Sequence, residues 1–247
     1  MAASFSKNEK LGLPSVALTA ISNVCVMQAR WWLCATPSTV PNKIIFLEHT
    51  GTLWNQTTLT PGVIDFILYV KKSGRRCILL TNNSRKSNEQ YYEKCRKLGL
   101  PVEKSDIICV AQVAANALLK TGMQGPLYVI GEEGIAIELS KVGISSLGIG
   151  ASIQNVLVGY DSQFNYVKCM KAATLIGRGC KFYATNEDAQ LPAPDRIWPG
   201  TGSVVAAVRV ASGKDPIVFG KPHKAMFDYL VETAGICAED TAMVGDR

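Results

Sequence analysis

Cys77-Ile78-Leu79-Leu80-Thr81-Asn82-Asn83-Ser84 is the stretch on which the fold turns. Four apolar residues run unbroken into a knot of hydroxyl and amide side chains, and Ser87–Leu98 then follows with helical periodicity. A short, continuous apolar run is how a strand buried on both faces reads, and a parallel strand needs a crossover helix to return. The polar knot therefore marks the carboxyl end of a strand. Ser87, with Gln90 at the third position after it, predicts a capping box on the helix.

The same alternation extends in both directions. Upstream lie the apolar run Ile44–Leu47 and the helical-period segment Gly62–Lys72. Downstream come Ile107–Val110 with Ala111–Lys120, Leu127–Ile130 with Gly134–Val142, and Asn155–Tyr160 with Asn165–Gly177. Cys180–Ala184 precedes Gly202–Ala211, Ile217–Phe219 precedes Lys224–Ala234, and Thr241–Val244 comes last. Gly99, Gly122, Gly143 and Gly235 each follow a helical run, where left-handed C-caps are expected. Strands alternating with helices predict βαβ crossovers, a mainly parallel sheet and an α/β fold.

Composition narrows the class further. The 247 residues suit one or two domains, and 47% hydrophobic with 19% charged residues excludes a disordered chain, a collagen-like fibre and a coiled coil. Lys7, Lys10, Arg30 and Lys43 face only Glu9 in residues 1–47, so half of the net charge of +6 sits there and no broad nucleic-acid face is expected. The 8 cysteines form no C-x-x-C pair, and with 2 histidines there is no zinc pattern; a reducing, cytoplasmic setting is the expectation. No run reaches the ~18 apolar residues of a membrane span. Residues 1–43 are expected to be a poorly ordered leader, a mitochondrial transit segment being the alternative.

In open parallel sheets ligands gather beyond the carboxyl ends of the strands. The residues there read Glu48-His49-Thr50-Gly51-Thr52, Thr81-Asn82-Asn83-Ser84, Gly220-Lys221-Pro222 and Gly245-Asp246-Arg247. A hydroxyl with amides, a lysine and carboxylates at strand ends predict a phosphate and metal site.

These segments, in this order and spacing, resemble the haloacid dehalogenase phosphatases, and within them the phosphoglycolate and pyridoxal phosphatase subgroup. The likeness is carried by Gly51-Thr52-Leu53-Trp54, Thr81–Ser84, Leu157–Asp161, Pro199–Ser203, Phe219–Pro222 and Val244–Arg247. It implies a Rossmann-like core with an inserted α/β cap, divided here as core 44–124, cap 125–215 and core 216–247. It further implies Mg²⁺-dependent hydrolysis of a small phosphorylated metabolite through an aspartyl-phosphate, commonly in homodimers formed through the cap. On that reading Thr81 and Lys221 grip the phosphoryl group, Asn82, Asn83, Asn186 and Asp188 bind substrate, and Asp246 binds the metal. Leu191 stands where pyridoxal-phosphatase relatives tend to carry histidine, which argues against pyridoxal phosphate.

The chain departs from the family at the first motif. Glu48 stands where the nucleophilic aspartate is expected, and Thr50 where the acid/base and a metal-binding carbonyl are expected. The extra methylene displaces the attacking oxygen, and a misplacement of about 1 Å can cost about 10²-fold in rate. Threonine cannot deliver a proton near neutral pH, a loss of typically ~10²–10⁴-fold. Glu48, the Thr50 carbonyl and Asp246 could still form a distorted metal site. Three expectations follow: an impaired phosphatase, a pseudophosphatase that binds a phosphorylated ligand or protein without turnover, or a chain shortened at its C-terminus.

Overall fold

The computed structural model describes residues 25–28, 44–48, 52–55, 58–123, 126–146, 153–192, 196–237 and 241–245. Two parallel sheets dominate. The first has the order β1-β13-β2-β5-β6, where β1 is Cys25–Gln28, β2 Ile44–Glu48, β5 Arg76–Thr81, β6 Ile107–Cys109 and β13 Thr241–Gly245. All its pairings are parallel except β1 on β13. β1 lies in the segment for which the patterning suggested no element. The second sheet has the order β12-β9-β8-β7, all parallel, with β7 Leu127–Ile130, β8 Asn155–Val158, β9 Lys181–Ala184 and β12 Ile217–Val218. This sheet runs past position 215, the expected unit boundary, to Val218.

Two short antiparallel hairpins were not foreseen: β3 (Trp54–Asn55) with β4 (Thr58–Leu59), and β10 (Gln190–Leu191) with β11 (Trp198–Pro199). Two-residue strands carry too little periodicity to be read from sequence. The helices are α1 Val63–Lys72, α2 Asn88–Lys97, α3 Val110–Lys120, α4 Glu133–Lys141, α5 Tyr166–Gly177, α6 Thr201–Ser212 and α7 Lys224–Ala234.

Period-2 alternation explains how β2, β5 and β6 bury both faces. Ile44, Phe46, Ile78, Leu80 and Ile108 pack with Met226, Tyr229 and Leu230 of α7. Ile45, Leu47, Cys77, Leu79 and Ile107 enter a larger cluster that also holds Ile135 and Leu139 of α4, Leu157 of β8 and Tyr183 of β9. One apolar core is therefore shared by both sheets. The outer face of the second sheet packs Val156, Val158 and Phe182 against Ile176 of α5 and Val204, Val205 and Val208 of α6.

Local signals behave as the residues dictate. Ser87 accepts the Gln90 N–H while the Gln90 side chain accepts the Ser87 N–H, the reciprocal box expected at the start of α2. Gly235 ends α7 in the left-handed region at φ 61°, where a side chain would be strained. Among the described residues no helix is long and apolar enough to cross a membrane.

Candidate functional site

Parallel register brings the carboxyl ends of three strands together. Glu48, the last residue of β2, lies beside Leu80 of β5, one residue before Thr81, and Leu47 lies beside Val244, one residue before Gly245. The Glu48 carboxylate points into this corner. A side-chain carbon at Gly245 would stand 2.8 Å from Glu48 Oε2, so a larger residue there would make that oxygen shift.

The other carboxylate oxygen meets Lys221, whose Nζ lies 2.9 Å from Glu48 Oε1. Both side chains are largely enclosed, 14% exposed for Lys221 and 21% for Glu48. Lys221 follows β12, and its backbone is fixed from the β5 side. The Lys221 N–H donates to Asn82 Oδ1 at 2.8 Å, and Asn82 Nδ2 donates to the Lys221 carbonyl at 3.1 Å. That same nitrogen also donates to Asp188 Oδ1 at 3.2 Å. Asn82 is thus a clamp that joins the end of β5 to the loop after β12 and to the loop after β9. Gly220 makes the approach possible: a Cβ there would fall 2.6 Å from the Thr185 carbonyl and 2.8 Å from Asn82 Oδ1.

The remaining predicted binders are engaged within the fold. Thr81 is buried, and its hydroxyl accepts the Asn83 N–H at 3.1 Å. Asn83 Oδ1 accepts the Arg85 N–H at 3.0 Å, and its carbonyl accepts the Tyr91 hydroxyl at 3.1 Å. These local bonds make a self-contained polar turn of the kind such residues favour. Burial pushes the Tyr91 phenol well above its ordinary value, so it remains a neutral donor. Asn186 is buried and accepts the Thr185 hydroxyl at 2.9 Å. The structure therefore brings Glu48, Asn82, Asp188 and Lys221 into one cluster, with Thr81, Asn83 and Asn186 as its packed surround. Thr50 and Asp246 lie outside the described residues.

Sequence reasoning passed over two features. Thr52 is buried, and among the described residues its hydroxyl has no hydrogen-bond partner. Trp54 of β3 is buried with Lys94 of α2 4.2 Å above its ring, which pins the β3–β4 hairpin to that helix. Burial, with Lys86 nearby, lowers the Lys94 pKa. The tryptophan was visible in Gly51–Trp54, but a partner 40 residues away is not a local signal.

A family model described as haloacid dehalogenase-like hydrolase matches residues 45–145, and a second, for the same hydrolase type, matches residues 218–247. Human glycerol-3-phosphate phosphatase is 33% identical over 231 residues, an alignment covering 82% of this chain and 72% of that protein. The chain belongs to the haloacid dehalogenase-like hydrolases. Phosphoglycolate phosphatase 1A from Arabidopsis thaliana is 35% identical, and the match spans 83% of this chain but 63% of the relative's length. Among solved structures, 4-nitrophenylphosphatase from Thermotoga maritima superposes with a TM-score of 0.75 at 25% identity, covering 81% of this chain and 77% of that one. The haloacid dehalogenase-like relatives and the two-sheet α/β architecture agree with the resemblance drawn from the motifs.

Proposed function

We propose that this chain is a phosphatase-type protein acting on small phosphomonoesters, of the kind named in its phosphoglycolate and glycerol-3-phosphate phosphatase relatives, with turnover impaired at its first motif. The observation that carries this reading is the Lys221 ammonium held at the strand ends by the Asn82 clamp, against a carboxylate that is glutamate. Phosphoryl transfer needs a positioned nucleophile and a fixed cation against the developing charge. Lys221 can supply the cation. Glu48 is a carboxylate nucleophile in kind, but it is one methylene too long for the place where the resemblance puts an aspartate.

The donor chemistry suits Mg²⁺, which prefers hard oxygen ligands and keeps several waters. The resemblance assigns the ion to the Glu48 and Asp246 carboxylates with the Thr50 carbonyl, and of these Glu48 alone lies among the described residues. Bound there, the metal would help to neutralise phosphoryl charge. Lys221 orients the ester, and Asp188 is joined to the same cluster through its bond to Asn82.

A second reading is a pseudophosphatase that binds a phosphorylated ligand or protein without turnover, and glutamate at position 48 favours it, because the extra methylene misplaces the attacking oxygen. Hydrolysis of p-nitrophenyl phosphate with Mg²⁺ separates the two. Weak wild-type turnover that is raised by about 10²–10⁴-fold in the Glu48→Asp/Thr50→Asp variant is the expected result. Wild-type turnover that Lys221→Ala leaves intact would overturn the assignment of this cluster as the reaction site.

A further inference from the structure

The first motif is fixed at two ends, and the two are held in different ways. At the near end Glu48 closes β2 in register with Leu80 of β5, so the chain leaves the sheet at a set place. At the far end Thr52, Leu53 and Trp54 are all buried. There the Leu53 carbonyl accepts the Thr60 N–H at 2.9 Å, and Trp54 pairs with Leu59 across the β3–β4 hairpin. An isolated two-stranded hairpin is marginal in water, and this one has 2 residues in each strand. It therefore takes its place from side-chain contacts.

The decisive contact comes from α2. Trp54 is 2% exposed and belongs to the shared core together with Tyr91 and Cys95 of that helix. Between those two residues in sequence stands Lys94, whose ammonium lies 4.2 Å from the centre of the Trp54 ring. A cation over an indole face is drawn to the ring's negative charge, and more strongly as water is removed. Lys94 is half-buried, which lowers its pKa, and Lys86 adds repulsion. An uncharged side chain of similar length would fill the same space without that desolvation cost. Packing alone does not call for an ammonium here, whereas the ring face does.

We propose that Lys94 is a positioning residue for the first motif: through the Trp54 ring it fixes the end of the motif that lies away from Glu48. The inference rests on the proposed reading of this motif as the reacting segment, and it adds a residue of α2 that acts indirectly. Reacting groups tolerate little displacement, since about 1 Å can cost about 10²-fold in rate.

Two measurements on the whole chain test it, each with Lys94→Met and Lys94→Arg. Hydrogen exchange read by mass spectrometry follows residues 52–60, with β8 as the reference for global opening. Lys94→Met should speed exchange in 52–60 by about tenfold and leave β8 unchanged, while Lys94→Arg, which keeps a cation for the ring, should restore protection. Hydrolysis of p-nitrophenyl phosphate with Mg²⁺ is then measured in the Glu48→Asp/Thr50→Asp background. There Lys94→Met should lower kcat about tenfold or more with KM little changed, and Lys94→Arg should recover it. Exchange in 52–60 that Lys94→Met leaves unchanged, or raises no more than in β8, overturns the inference. So does a loosened hairpin with unchanged kcat, because the motif is then set without Lys94. Should Lys94→Arg behave like Lys94→Met, the charge is not what holds the ring. A folded Glu48→Asp/Thr50→Asp chain with no turnover defeats the proposed function itself, and the positioning role with it, even where the hairpin loosens as expected.

Discussion

The loop that leaves β5 and the end of β2 are neighbours across one rung of the sheet, yet they are held in opposite ways. From Thr81 to Gln90 nearly every polar group is tied down. The turn bonds to itself through Thr81, Asn83 and Arg85, and then to the second sheet's connections. The Gly134 N–H donates to the Arg85 carbonyl at 3.2 Å, Arg85 pairs with Glu132, and the buried Glu138 accepts the Asn88 N–H at 2.8 Å at the start of α2. A side-chain carbon at Gly134 would collide with the backbone of Lys86, so the two segments touch directly. By contrast, among the described residues the Glu48 carboxylate has one hydrogen-bonding partner, Lys221. The framework is over-determined by backbone bonds and packing, whereas the reactive end rests on one clamp and one ion pair. A residue at position 48 can therefore change in length while the fold persists.

The strongest way to break this comparison is to attack the framework. Leu139 of α4 is fully buried in the core shared by both sheets. Leu139→Ala should cost about 2–5 kcal/mol, the usual loss for a buried leucine with its residual cavity. Urea unfolding would read this as a midpoint shift at unchanged slope. A negligible shift would mean that the two sheets do not share a core.

A sharper contrast comes from two substitutions of similar thermal cost. Glu138→Ala removes the acceptor of the Asn88 N–H and the partner of Lys141 at 2.7 Å. Asn82→Ala leaves the Lys221 N–H and carbonyl without their partner. Each should cost about 1–3 kcal/mol, the penalty for stranding a buried polar group. Phosphate binding should survive the first and be lost in the second. Equal effects on binding would show that the clamp and the framework are not separable.

Much of this was legible in the sequence, for identifiable reasons. β5 and α2 were, because four apolar residues, a polar knot and a capping box all point to the same structure, and the box forms as read. Glu48, Asn82 and Lys221 were also legible as a set, because a parallel sheet gathers strand ends whatever lies between them, whereas Asp188 came from the family resemblance. What Asn82 does was not. It was read as a donor to substrate; in the structure its amide bonds to the Lys221 backbone, 139 positions away, and to the Asp188 carboxylate. Such long-range pairing leaves no periodic trace. The β3–β4 and β10–β11 hairpins escaped for the opposite reason, being too short to show a period.

The finest test compares two lysines three positions apart. Lys221 is 14% exposed and faces Glu48, whereas Lys224 at the start of α7 is 83% exposed and pairs with Asp228 one turn on. Both pairs look alike on distance, 2.9 Å against 2.6 Å, so distance cannot rank them. Solvent can. An exposed i,i+4 pair is screened by water, holds two flexible chains at an entropic cost, and contributes about 0.3–0.5 kcal/mol at most. Lys224→Ala should therefore shift the melting temperature little and leave phosphate affinity unchanged, while Lys221→Ala abolishes that affinity. If Lys224→Ala weakened phosphate binding as much, the enclosure of the Glu48–Lys221 pair would not be what sets the site apart from the surface around it.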